Sequence, residues 1–177
     1  MNTGEFLNRV EVYLKENNFQ IDRNKRFADP RFSADIYASR KFKKSVFSSI
    51  DYLFIHDLSS ESKRNREHLA DLHEKARTYV NSLFKLPRYL RWKIPNIITA
   101  AVSAGDFSND MVEYVRESTF SIIGGEKHSL YLVDLAGNIV ISQILEEIEG
   151  FTFNVINPVN RAYHMVREMH RYAAGLD

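Results

Sequence analysis

The chain has 177 residues, a formal net charge of +1 and no cysteine. Because one domain usually takes roughly 100–200 residues, we expect residues 1–177 to form a single domain with a sizeable core. The lack of cysteine excludes a disulfide framework, a thiolate metal site and a thiol nucleophile. No signal-peptide pattern follows Met1, and no apolar stretch approaches the roughly 20 residues of a membrane span. We therefore expect a cytoplasmic protein with no membrane partner.

Positive charge is concentrated in the first half of the sequence. Residues 1–93 carry 19 basic and 12 acidic side chains, a balance of +7, whereas residues 94–177 carry 5 basic and 11 acidic ones, a balance of −6. A basic face would attract nucleic acid or another polyanion, because phosphate contacts release condensed counterions. The alternative is a solvated surface on which folding mixes the two signs again.

The first half of the chain predicts a helix, three strands and a second helix. Apolar residues at helical spacing predict the first helix, with Thr3 as its N-cap. The third strand is apolar almost throughout, as a strand covered on both faces would be. Lys41 to Lys44 are expected at the polar tip of a hairpin. The predicted elements are a helix over residues 5–17, strands over 19–22, 32–38 and 50–58, and a helix capped by Ser59 or Ser60 that ends near residue 84.

The second half adds strands and two further helices. A helix between two buried strands implies a right-handed crossover and at least one parallel pair. The predicted fold class is therefore α/β, a mixed sheet flanked by helices, with a C-terminal hairpin and helix. The predicted elements are a strand over residues 94–104, a helix over 109–118 capped by Asp106 or Ser108, hairpin strands over 129–135 and 138–144, a short strand over 151–156 and a helix over 159–173.

The order helix, three strands, helix, strand over residues 5–116 resembles the core of the restriction-endonuclease-like, or PD-(D/E)XK, nuclease superfamily. The segment Ser33-Ala-Asp35-Ile-Tyr-Ala resembles the strand on which that family places its first metal-binding aspartate. The resemblance implies a nuclease in which Asp35 and Asp57 hold Mg²⁺ or Mn²⁺ and are catalytic. The lysine expected two positions beyond the second acid is replaced by Ser59. This degenerate motif favours a non-catalytic relative that requires no cofactor.

Basic and aromatic residues are interleaved before the fourth strand, in Pro87-Arg-Tyr-Leu-Arg-Trp92-Lys93. Such a mixture is typical of nucleic-acid contact, with cations on phosphates and rings stacked on bases. The leading hypothesis is a module that binds nucleic acid or another polyanion. Its predicted contact residues are Arg40, Lys41, Lys43, Lys44, Arg88, Arg91, Trp92 and Lys93, with Arg23, Lys25, Arg26 and Arg31 as further basic residues. The alternative is a loop whose aromatic rings pack on the core.

A third hypothesis is an interaction protein. The predicted hairpin around Ala136-Gly137 resembles hairpins of longin, roadblock and other small sensor or dimerisation domains. That resemblance implies a homodimeric interaction or sensor domain, paired through a sheet edge or through the acidic second half.

The second predicted helix carries two histidines. His68 and His73 are five positions apart, so they do not share the helix face that a pair of metal ligands needs. We therefore expect both to be solvated helix residues.

Overall fold

The computed structural model describes residues 1–44, 47–87, 91, 93–118, 126–142 and 158–176. Within these ranges helices and strands alternate as an α/β chain, with a short 3₁₀ turn at Glu61–Lys63. None of the described helices is both long and apolar enough to cross a bilayer. The elements are α1 (Thr3–Glu16), β1 (Gln20–Arg26), β2 (Ser33–Lys44), β3 (Phe47–Asp57), α2 (Arg66–Ser82), β4 (Lys93–Ser103), α3 (Asn109–Glu117), β5 (Lys127–Asp134), β6 (Ile139–Ile141) and α4 (Pro158–Ala174).

The described strands form one mixed sheet in the order β1-β2-β3-β4-β5-β6. Strands β1, β2 and β3 make an antiparallel meander, and β5 and β6 make an antiparallel hairpin. The pairs β3–β4 and β4–β5 are parallel, and α2 and α3 supply the long connections that parallel neighbours need. The predicted α/β class and mixed sheet are confirmed. The strand predicted over residues 151–156 lies outside the described residues.

Helices cover both faces of the sheet and give three layers. Leu53 and Ile55 of β3 belong to the core under α1 and α4, whereas Tyr52 and Phe54 belong to the core under α2 and α3. Successive side chains of a strand point to opposite faces, so a strand covered on both sides needs apolar residues at nearly every position. The apolar run of β3 therefore places it in the middle of the sheet.

The expected hairpin tip at Lys41 to Lys44 is wrong. Strand β2 continues through these residues, and its last described pair joins Lys44 to Phe47. The length of a strand depends on how far its partner continues, and β3 begins at Phe47, three positions before the predicted strand. Polar side chains at the end of a sheet can face water, so they did not stop the strand.

Two predicted helix caps are also wrong. The N-cap of α1 is Asn2, whose Oδ1 accepts a hydrogen bond from the Glu5 backbone at 2.8 Å, while the Thr3 hydroxyl bonds the Ser59 hydroxyl at 2.6 Å. Helix α2 is capped by Asn65 rather than by Ser59 or Ser60. Asparagine and serine cap helices about equally well, so composition alone does not choose among neighbouring candidates.

Candidate anion-binding site

A row of four polar residues crosses the sheet near the amino-terminal ends of its parallel strands. Arg40 of β2 lies opposite Asp51 of β3, Asp51 lies beside Asn96 of β4, and Asn96 lies beside Lys127 of β5. The alternating apolar positions of the same strands belong to the core under α1 and α4. The four residues, which we call the polar row, therefore face that layer.

Asp51 is the acid of the polar row, and only 1% of it is exposed. Arg161 of α4 donates a hydrogen bond to its Oδ1 and another, at 2.9 Å, to the Ser49 hydroxyl. Asn96 Nδ2 donates to the same carboxylate at 3.0 Å, and an Arg40 guanidinium nitrogen lies 3.5 Å from Oδ2. A buried carboxylate is stable only when it is paired and hydrogen-bonded. Two arginines and one amide meet that requirement here.

Arg40 points into the protein. Its guanidinium donates to the Asn17 carbonyl at 3.1 Å and lies 4.3 Å from the ring centroid of Phe19. Together with Asp51, these partners hold the side chain between α1 and the sheet. Arg40 is also one of the predicted nucleic-acid contacts; its side chain makes these internal contacts and is 22% exposed, and the contact with nucleic acid stays a prediction.

Lys127 is the second cation of the polar row, and its side chain is partly buried. In the described part of the chain no acceptor bonds its ammonium group. Burial, followed by the positive charge of Arg161, lowers the pKa of Lys127. Arg161, which donates to Asp51 and Ser49, has a further interaction besides these two.

The predicted metal ligands lie at the other end of the sheet. Asp35 Oδ2 accepts a hydrogen bond from the Asp57 backbone N–H at 2.7 Å, and Asp57 Oδ1 accepts from the Ser59 backbone at 2.8 Å. Each carboxylate thus accepts a hydrogen bond from a backbone N–H located just beyond the last pair of β2 and β3. Over the described ranges, no group of three or more His, Asp or Glu side chains is placed to share a metal ion.

The predicted nucleic-acid contacts gather at the end of the sheet nearest the polar row. Lys41 and Lys93 are exposed. In the register, Lys43 lies opposite Ser48, and Ser48 lies opposite Lys93. Lys44 ends β2 at the same place. Arg88 and Trp92 lie outside the described residues.

Arg91 is anchored at this end. Its guanidinium donates to Asn81 Oδ1 at 2.6 Å and stacks 4.5 Å from the ring of Phe84. Asn81 Nδ2 donates to Glu126 at 2.5 Å, and Glu126, which is 1% exposed, also accepts from Arg77. This chain of contacts ties Arg91, two positions before β4, to the end of α2 and to the start of β5.

The other basic residues of the first half do not join this group. Lys25 and Arg26 lie at the end of β1, which is paired with the beginning of β2. Lys25 donates to Asp22 at 2.7 Å, and Arg23 donates to Asn8 at 3.1 Å. The positive charge of the first half is therefore divided between the two ends of the sheet.

His73 forms a second buried polar network, on the face under α2 and α3. Its Nδ1 lies 2.9 Å from the Thr99 hydroxyl, and its Nε2 lies 3.0 Å from Nδ1 of His128. Burial, with the neighbouring His128, lowers the pKa of His73 to about 3. The expectation that His73 is solvated is wrong. Its helical spacing from the buried residues Leu69 and Ala76 was the signal that could have placed it inside.

No family model matches the sequence, and no curated protein matches it either. The sequence comparisons therefore assign no activity to this protein. Guanidinium and ammonium groups that outnumber the acids beside them are suited to hold anionic oxygens.

Proposed function

We propose that this protein is a cytoplasmic, non-catalytic module that binds nucleic acid, or another polyanion, at the end of its sheet nearest the polar row. The register of the strands supports the proposal. Lys43 and Lys93 stand in one row on either side of Ser48, so two strand spacings, about 10 Å, separate their backbones. The exposed Lys41 and the anchored Arg91 lie at the same end.

Within the described ranges, the acids Asp51 and Glu126 beside these strands do not cancel the positive charge toward solvent. Asp51 and Glu126 are each 1% exposed, and each accepts hydrogen bonds from arginine side chains. Their negative charge is therefore paired with arginines inside the protein. Exposed lysines at the rim keep their outward field, which steers a polyanion toward them at low salt.

Charge reversal tests the location of this surface. We expect Lys41→Glu combined with Lys93→Glu to weaken binding at least tenfold, and to reduce the salt slope by about 0.7 to 0.9 per lost phosphate contact. The measurement is fluorescence anisotropy with labelled single-stranded DNA, duplex DNA and RNA, between about 50 and about 200 mM salt. A sulfated polysaccharide competitor separates a preference for nucleic acid from general polyanion binding.

The matched control is Lys25→Glu combined with Lys63→Glu, which changes the net charge equally at the other end of the sheet. It should weaken binding far less. Equal weakening by the two pairs would show that only net charge matters. No binding by the unaltered protein at low salt would remove the proposal.

The order of elements also supports a restriction-endonuclease-like core. Helix α1, the meander β1 to β3, helix α2 and the parallel strand β4 follow one another as that resemblance implies. A metal-dependent nuclease stays the alternative, with Asp35 and Asp57 released from their backbone contacts to hold Mg²⁺ or Mn²⁺. DNA cleavage that needs either metal and is lost in Asp35→Ala would favour it.

A homodimer stays a further prediction. The outer edge of β1 carries Asp22, Arg23, Lys25 and Arg26. Charged side chains on an edge strand oppose pairing with another sheet. Light scattering over a range of concentrations distinguishes a dimer from a monomer, and a dimer would have to use another surface.

A further inference from the structure

Lys127 is a partly buried lysine that has no acid partner. It lies at the start of β5, and no hydrogen bond or ion pair of the described residues involves its ammonium group. The carboxylate of the polar row, Asp51, lies two strands away and bonds arginine side chains and Asn96 instead. An ammonium group that loses water without gaining an anion becomes less stable relative to its neutral amine.

The neighbours of Lys127 on its face of the sheet also favour the neutral amine. Asn96 lies beside it in the register and Ser129 lies two positions further along β5, so both share its face. Their side chains are uncharged, and each has a buried oxygen without a partner among the described residues. Burial lowers the pKa of Lys127, and the positive charge of Arg161 lowers it further. Two independent features of the fold thus act on the same amine.

A lysine in such surroundings differs chemically from a lysine at the surface. A neutral ε-amine has a free electron pair and attacks a carbonyl carbon, whereas an ammonium group has none. Lysines that form imines with carbonyl compounds are activated by loss of water or by a second cation beside the amine. Because part of the Lys127 side chain stays exposed, a small molecule can reach it from solvent.

We infer that Lys127 is a site of covalent attachment for small aldehydes, which it holds as an imine. The amine nitrogen forms a bond to the carbonyl carbon, and one of its protons passes to the carbonyl oxygen. The resulting carbinolamine then loses its hydroxyl group together with the second N–H proton as one water, so the step needs no oxidant or reductant.

The site goes beyond the polyanion surface and does not rest on it. Lys127 lies on the face of the sheet under α1 and α4. Lys41 and Lys93 alternate with residues that face this layer, and so they point to the opposite side. An aldehyde can therefore react with Lys127 whether or not a polyanion binds at the rim.

Trapping with an uncharged aldehyde tests the inference. The full chain is incubated with acetaldehyde and sodium cyanoborohydride, which reduces each imine to a stable N-ethyl amine, and peptide mapping by mass spectrometry gives the rate at each lysine. At neutral pH we expect Lys127 to be alkylated at least about threefold faster than the exposed Lys41, Lys63 and Lys93. This advantage should shrink as the pH rises toward about 10, where lysines in water also lose their protons.

Unfolding the chain in guanidinium chloride provides a control that needs no variant to fold. The same four lysines should then react at nearly equal rates, because only the fold gives them different surroundings. As a matched pair of variants, Lys127→Arg should lower the early yield of total alkylation at neutral pH far more than Lys63→Arg does. Lys127 reacting no faster than the exposed lysines would overturn the inference. An advantage that persists in the denaturant, or that does not shrink with rising pH, would overturn it as well.

The two proposals fail separately. Nucleic-acid binding without preferential trapping of Lys127 removes only the aldehyde site. Preferential trapping without nucleic-acid binding removes only the polyanion surface.

Discussion

The two faces of the sheet bury polar groups in opposite ways. Under α1 and α4, Asp51 keeps a charged network in which arginines surround a carboxylate. Under α2 and α3, burial lowers the pKa of His73 to about 3, so this histidine is neutral at pH 7 where it bonds Thr99 and His128. An imidazole can lose its charge at little cost near neutral pH, whereas a charged carboxylate needs cations around it. The difference explains why the buried acid has arginine partners while the buried histidine has neutral or histidine partners.

Of the substitutions that test this comparison, removal of the Asp51 carboxylate should lower the free energy of unfolding the most. Asp51→Ala leaves Arg40 and Arg161 without the anion between them, and breaking a buried pair on one side costs about 3–5 kcal/mol. We expect the free energy of unfolding, measured by urea denaturation at neutral pH, to fall by that amount.

The double variant Asp51→Leu with Arg161→Met distinguishes the effect of the unpaired charge from the effect of lost side-chain volume. Replacing a whole buried ion pair by apolar side chains is often neutral or stabilising. The double variant should therefore recover much of the stability lost in Asp51→Ala. A double variant that is no more stable than the single one would show that packing, rather than the unpaired cations, causes the loss.

The buried neutral histidines of this face, His73 and His56, should destabilise the fold on acidification. His56, buried on the same face, also has its pKa lowered to about 3 by burial and then by the charge of His68. Between about pH 6.5 and about pH 3 the unfolded chain binds protons that the folded chain does not, so stability is complete above this window and is lost as pH falls through it. Each histidine should contribute a slope of about 1.4 kcal/mol per pH unit.

Urea denaturation at several pH values checks this slope. His73→Gln keeps an amide that can bond Thr99 but removes one titrating group, so its slope should be lower by about 1.4 kcal/mol per pH unit. An unchanged slope in this variant would mean that other groups cause the acid sensitivity.

The same contrast shows what the sequence could predict. The apolar run of β3 and the helical spacing of α4 depend on local periodicity, and both elements were predicted close to their observed positions. The burial of His73 also follows from a local pattern, because it lies at helical spacing from the buried residues Leu69 and Ala76. For β3, α4 and His73 alike, residues that are near one another in the sequence determine which side chains are buried.

The polar row could not be predicted in this way. Asp51, Asn96 and Lys127 come from three strands separated by helices, and only the register places them side by side. A shift of one residue would turn any of them to the other face. Arg161 of α4, which pairs with Asp51, lies 110 positions further along the chain, so no local pattern links the two residues. When strand register brings the residues of a site together, those residues can be recognised only once the pairing of the strands is known.

Asp35 is a partly buried acid whose partner is backbone, and its replacement carries the smallest expected effect. Its carboxylate accepts the Asp57 N–H at 2.7 Å. Asp35→Asn keeps an oxygen acceptor but loses the charge, so the free energy of unfolding should fall by about 1 kcal/mol. If Asp35 and Asp57 instead formed an empty metal site, their carboxylates would repel, and the same substitution would stabilise the protein. Unfolding of both proteins with and without Mg²⁺ decides the sign: the backbone role requires a loss that the metal does not change.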